Sequence, residues 1–252
     1  MKRVSLLAVL AIACATGVTR PAGAAEISVA VAANFTEAAK EIAAAFERKT
    51  GNKVLLSFGS SGQFYTQITQ DAPFQVFLSA DQERPEKAVA EGFAVPDSRF
   101  TYAVGKLVLW SRDPKVVTGA DTLKQGAFSK IAIANPTAAP YGAAAIETMK
   151  ALGVYDALQP KIVQGNNLAQ TFQFIDTGNA ELGFVALSQV VDRGEGSRWL
   201  VSANLYAPIK QDAVLLKKGA GNEAAKAFLA FLRGPEAAAV EAKFGYGTPE
   251  AN

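Results

Sequence analysis

The residues most able to do chemistry stand where apolar, strand-like runs hand over to helical patterns. Asn34 follows the run Ile27–Ala32, and Glu37 comes three residues later. Asn is a favoured helix N-cap, and an acid at the third helical position can close a capping box. Ser60-Ser61-Gly62-Gln63 repeats the design, with Ser60 as cap and Gln63 at the third position. That puts Ser61 at the first helical position, where its backbone N–H has no helical partner and its hydroxyl lies beside it. Asn167 with Gln170 gives a third start. Ala139-Pro140-Tyr141-Gly142 gives a fourth, with Pro140 suited to the first helical position. A helix start offers free N–H groups and a partial positive charge, which together attract an anion. One polar cap alone has a purely structural reading. Four of them at strand ends point to a ligand crevice at the carboxyl edge of an α/β sheet.

Other chemistry is scarce. The chain of 252 residues has no histidine, and its single cysteine is Cys14. That excludes Cys/His zinc sites, Ser-His-Asp and Cys-His nucleophiles, and any disulfide within one chain. No metal cation and no cofactor are expected. Gly59-Ser60-Ser61-Gly62 lacks the Gly-Lys-Ser/Thr ending of a nucleotide phosphate loop. Asp81-Gln82-Glu83-Arg84 reads as a cap and a solvated helix start. Asp176, Glu181 and Asp192 are scattered acids that no spacing pairs.

The elements that hold the four starts follow from periodicity. Strand-like runs lie at Ile27–Ala32, Val54–Phe58, Val76–Leu78, Val104–Trp110, Ile131–Ala134, Leu182–Ala186 and Ala213–Leu216. Helical spacing follows from Phe35 to Phe46, from Phe64, and over Ala143–Leu152, Leu168–Ile175, Glu223–Leu232 and Glu236–Phe244. Alternating strands and helices predict an α/β fold with mostly parallel sheets. The composition is 50% hydrophobic and 19% charged, with a net charge of +2, which disfavours disorder and electrostatic nucleic-acid binding.

Residues 1–24 read as a cleavable secretory signal. Lys2 and Arg3 precede a short apolar run, and Ala22-Gly23-Ala24 supplies the small cleavage-site residues. Cys14 admits a side reading as a lipidated N-terminus, although Ala11 stands where a lipid-attachment motif wants leucine. The segment carries three basic residues and no acid. Removing it leaves 22 basic and 23 acidic residues, a net charge of −1, and no cysteine. An exported protein independent of disulfides fits this composition.

Several stretches together resemble the periplasmic molybdate-binding proteins of ATP-binding-cassette importers. They are Ala32-Ala33-Asn34-Phe35-Thr36, Ser57-Phe58-Gly59-Ser60-Ser61, Leu78-Ser79-Ala80-Asp81-Gln82, Pro140-Tyr141-Gly142, Leu182-Gly183-Phe184-Val185 and Phe231–Ala238. They run in family order over nearly all of the chain after residue 24. The resemblance implies a two-lobed type II periplasmic binding fold with the ligand in the cleft. Lobe 1 would comprise residues 25–104 and 206–252, and lobe 2 residues 105–205. Asn34 takes the family's first side-chain donor slot, and Ser61 the second, through hydroxyl and N–H. Tyr141 and Leu168 fall where the family donates backbone N–H groups from the other lobe. Many members add a tyrosine hydroxyl where this chain has Ala186, which leaves that donor absent or supplied by Asn166 or Tyr141. The implied ligand is molybdate and also tungstate, the implied partner an inner-membrane permease, and the implied state a monomer without catalysis.

The donor chemistry suits such a ligand. Molybdate is a dianion whose oxygens only accept hydrogen bonds at neutral pH. Phosphate keeps a proton near that pH and profits from a carboxylate, and no acid stands among Asn34, Ser61, Tyr141 and Leu168. Sulfate is also acceptor-only, so a sulfate-binding protein is the alternative. A carboxylate-dependent exported hydrolase is the remote one, and a sensor or adhesion module on the same fold a third.

Overall fold

The computed structural model describes residues 24–248. The signal segment, with Cys14, lies outside the described residues apart from Ala24. Among the described residues, ten strands form two five-stranded sheets. In chain order the strands are β1 (Glu26–Ala32), β2 (Lys53–Gly59), β3 (Val76–Leu78), β4 (Phe100–Gly105), β5 (Leu107–Ser111), β6 (Ile131–Ala134), β7 (Ile162–Gly165), β8 (Leu182–Ala186), β9 (Ser197–Leu200) and β10 (Ile209–Leu215). The helices are α1 (Thr36–Thr50), α2 (Ser61–Thr69), α3 (Glu83–Ala90), α4 (Asp121–Gln125), α5 (Pro140–Ala151), α6 (Tyr155–Leu158), α7 (Leu168–Asp176), α8 (Glu223–Leu232) and α9 (Pro235–Lys243).

The sheet orders are β2-β1-β3-β10-β4 and β7-β6-β8-β5-β9. In each sheet four strands run one way and one is reversed, β10 in the first and β5 in the second. The chain leaves the first sheet after β4 and returns to it with β10.

Period-two alternation builds a core on both faces of each sheet. In β1, Ile27, Val29 and Val31 face α1, α8 and α9, while Ala30 faces α2 and α3 with Phe64, Phe77 and Val214. In β5, Leu107 and Leu109 join α4 and α5, while Val108 and Trp110 join Ile175 of α7. Helix α1 buries Ala38, Ala39, Ile42, Ala43 and Phe46 along one face. Removing Ile42 and Phe46 from water is worth roughly 1.5–3 kcal/mol each. The helix stops at Gly51, whose φ of 75° lets its N–H reach back to the Glu47 carbonyl.

The run Val104–Trp110, expected as one strand, is two strands in different sheets, broken at Lys106. Hydropathy does not mark the break, because both halves are buried. Strands β7 and β9, of four residues each, are too short and too mixed in polarity to be read by periodicity.

Register aligns the strand ends. Ala32 pairs with Gly59, and Val31 with Leu78, so the segments after β1, β2 and β3 emerge at one edge of the first sheet. Ala134 pairs with Gly165, and Ala132 with Gly183, which does the same for β6, β7 and β8.

Candidate functional site

The two carboxyl edges face each other and touch. Gly62 N donates to the Ala138 carbonyl at 2.9 Å, between the start of α2 and the loop before α5. Arg84 Nη2 donates to the Thr137 carbonyl at 2.8 Å. Ser188 Oγ, just past β8, donates to the Asn34 carbonyl at 2.8 Å. Ala32, Ala33 and Ala80 from the first sheet share one apolar cluster with Ala134, Ala139, Tyr141, Leu168 and Ala186 from the second.

Ser60 caps α2 as expected. Its Oγ accepts from Gln63 N at 3.3 Å, and Gln63 Oε1 accepts from Ser60 N at 3.4 Å. Ser61 is buried, and its Oγ accepts from Ala80 N at 2.9 Å. That bond leaves the hydroxyl hydrogen to donate, and no protein acceptor for it is found among the described residues. Asn167 caps α7 through Gln170 N at 3.0 Å, which sets Leu168 at the first helical position. Gln170 Oε1 turns instead to Asn166 N, so this start has a cap without a closed box. Pro140 opens α5 with no side-chain cap, and Tyr141 follows it.

Asn34 departs from its expected capping role. It lies in a short 3-10 turn, Ala33–Phe35, and α1 begins only at Thr36 with no side-chain cap. Glu37 pairs with Lys40 instead of closing a box. Asn34 is buried, and its Nδ2 donates to Gln211 Oε1 at 2.8 Å and Tyr246 Oη at 3.2 Å. A buried amide satisfies its hydrogens where acceptors exist, and here these lie behind the turn rather than along α1. Both amide hydrogens are engaged, so the donor that remains at Asn34 is its backbone N–H.

The backbone N–H groups of Asn34, Ser61, Tyr141 and Leu168 all lie in the first turn of their helices, where helical geometry supplies no partner. Two belong to each sheet's carboxyl edge. Helix α7 packs against the 33–35 turn, and Gly62 against Ala138, so the pairs approach across the boundary.

Two acids near this boundary are held by arginines. Asp81 pairs with Arg84 at the mouth, and buried Asp212 is held by Arg99 at 2.7 Å and Thr101 Oγ1 at 2.7 Å. Burial keeps Tyr102, Tyr141 and Tyr246 protonated, each raised above the usual phenol range. Behind them Glu241 Oε1 is buried without a partner, and desolvation pushes this carboxyl up to about 8. At neutral pH it is mostly uncharged. Among the described residues no group of His, Cys, Asp and Glu is arranged to hold a metal ion. A hollow of about 620 Å³ opens on the same boundary, lined by Ala80, Asp81, Arg84, Thr137, Pro140 and Ile209. None of the four donor residues lines it.

Of the two groups that could replace the hydroxyl missing at Ala186, Asn166 is exposed, while the Tyr141 oxygen is buried and accepts from Gln211 Nε2 at 3.3 Å. Sequence reasoning missed Gln211, Tyr102, Tyr246 and Ser188. Gln211 stands 177 positions from Asn34, and only topology joins them. One signal was available, since Lys210-Gln211-Asp212 is a polar run between Ile209 and the apolar Ala213–Leu215 of β10.

Comparison with known proteins agrees with this architecture. The family described as bacterial extracellular solute-binding protein matches residues 27–247. The chain is 59% identical to a molybdate-binding protein ModA of Rhodobacter capsulatus, over 94% of each chain. It is 55% identical to the ModA of Azotobacter vinelandii, over 90% of this chain and 91% of that one. The solved periplasmic molybdate-binding protein of Azotobacter vinelandii superposes with a TM-score of 0.86 at 42% identity, covering 89% of this chain and all of the other. These relatives are binding proteins rather than enzymes, and the shared fold is the two-lobed type II binding-protein fold. The chain belongs to the bacterial extracellular solute-binding proteins, among the ModA-type molybdate-binding members.

Proposed function

We propose that this protein captures molybdate outside the cytoplasm and delivers it to an ATP-binding-cassette permease, without catalysing a reaction. The observation that carries the reading is the pairing of two carboxyl edges, each presenting helix-start N–H groups with no ionised side chain hydrogen-bonded to Asn34, Ser61, Tyr141 or Leu168. An acceptor-only dianion of molybdate's or tungstate's shape satisfies such donors without a buried countercharge and its desolvation cost. In this reading Ser61 donates through N–H and hydroxyl, and Asn34, Tyr141 and Leu168 through N–H. Residues 25–104 with 206–252 form lobe 1 and residues 105–205 lobe 2, supported by the division of strands between the sheets. The anion bridges the lobes and stabilises the closed state by its differential affinity for that state. The mature protein starts at Ala25 in the periplasm and works as a monomer.

A thermal-shift panel tests this. Molybdate or tungstate at about 100 times its Kd stabilises by about 2.7 kcal/mol. For a chain of this size that is a Tm rise of about 5–11 °C. A shift with sulfate or phosphate and none with molybdate would contradict the reading.

A further inference from the structure

Gln211 is fully buried, and both ends of its amide are used, the oxygen within its own lobe and the nitrogen across the lobe boundary. Oε1 accepts from Asn34 Nδ2 at 2.8 Å and lies 3.1 Å from the Tyr102 hydroxyl. Nε2 donates to Tyr141 Oη at 3.3 Å. Asn34 belongs to the turn after β1, and Tyr141 to the first turn of α5, in the other sheet's edge. The register shifts beside it: Gln211 pairs with Ala103 and Asp212 with Thr101, leaving Tyr102 as the extra residue on β4.

Gly105 supplies a second, independent observation. A Cβ there would overlap Tyr141 Oη and lie 2.8 Å from Gln211 Nε2. Its φ is not in the left-handed region, so the requirement is one of space alone. Gly105 ends β4, where the chain leaves the first sheet, and Gln211 lies near the start of β10, where the chain returns. The Gln211–Tyr141 contact therefore sits beside both segments that connect the lobes.

We propose that Gln211 is a positioning residue for the anion site: its amide ties the donor turn at Asn34 to the donor turn at Tyr141 and so sets their separation. The inference rests on the reading of the site given above. Gln211 acts through the two turns and need not touch the anion. Breaking the tie misplaces the N–H groups of opposite lobes relative to each other, although each turn stays folded.

Two variants perturb the tie by different means. Tyr141→Phe removes the oxygen that Gln211 bonds and keeps the Tyr141 backbone N–H. Gly105→Ala wedges a methyl group into the contact, and the tyrosine, as the far end of a flexible side chain, can swing away. Molybdate affinity by calorimetry, ligand-free Tm, and the distance between spin labels on Glu86→Cys and Lys150→Cys are measured for wild type and both variants. Both labelled positions are exposed, and no native cysteine follows Cys14. Loss of one such bond predicts molybdate binding weakened about 3- to 10-fold in each variant, with ligand-free Tm lowered by about 2–4 °C as a buried contact is lost and a broader label distance distribution in the ligand-free protein. Wild-type affinity in both variants, or unchanged distance distributions, would overturn the proposal and leave the network a purely structural one. If wild type binds no molybdate, the functional reading above fails on its own. The ligand-free distances still decide the tie, broadened supporting it and unchanged ending it.

Discussion

At the scale of single residues, the account turns on which hydrogens are free. Ser61 is the clearest case, because Ala80 N–H occupies its oxygen and so directs its own hydrogen away. Ser61→Ala should weaken molybdate binding by about 1–3 kcal/mol. It should also lower ligand-free stability by about 1 kcal/mol, since Ala80 N–H loses a buried acceptor. Titration calorimetry and thermal melts separate the two effects. The serine was legible in sequence because cap and third-position glutamine bracket it. Asn34 was legible as a polar residue at a strand end, but its direction was not. Its acceptors, Gln211 and Tyr246, come from the far end of the chain.

At the scale of elements, the caps and the buried face of α9 make separate claims. Ser60 closes a full capping box, so Ser60→Ala should cost about 1 kcal/mol, seen as a Tm loss of about 2–4 °C. Helix α9 carries Glu241, whose folded carboxyl holds its proton up to about pH 8, against an ordinary value of 4.5. The folded state binds that proton more tightly than the unfolded one. This contribution to stability is therefore complete below about pH 4.5 and is lost as pH rises through 8. Glu241→Gln should leave the Tm nearly unchanged at pH 5 and raise it at pH 8.5, a difference that melts at the two pH values would register. Helix boundaries were readable where punctuation is strong. Glu223–Leu232 follows Asn222, whose side chain caps it, and α9 opens on Gly234-Pro235. Periodicity hid the division of Val104–Trp110, because a chain crossing between two buried sheets stays apolar on both sides of the crossing; only the resemblance put a lobe boundary after residue 104.

At the scale of the whole molecule, alternation of strands and helices gave the α/β class, while sheet order needed long-range pairing that no local pattern encodes. The reversed strands β5 and β10 are those that carry the chain between sheets, and each lies beside a strand far away in sequence. That arrangement brings four helix starts, two from each edge, to one boundary. The chemistry of the starts was visible locally, and their convergence was not. The central claim is that uncharged N–H and O–H groups from both lobes enclose a dianion. A crystal structure of the molybdate complex tests it most directly. The account predicts the oxyanion between the two carboxyl edges, its oxygens about 2.7–3.2 Å from the Ser61 hydroxyl and the N–H groups of Asn34, Ser61, Tyr141 and Leu168. Molybdate bound at a lysine or arginine side chain, away from those groups, would contradict it.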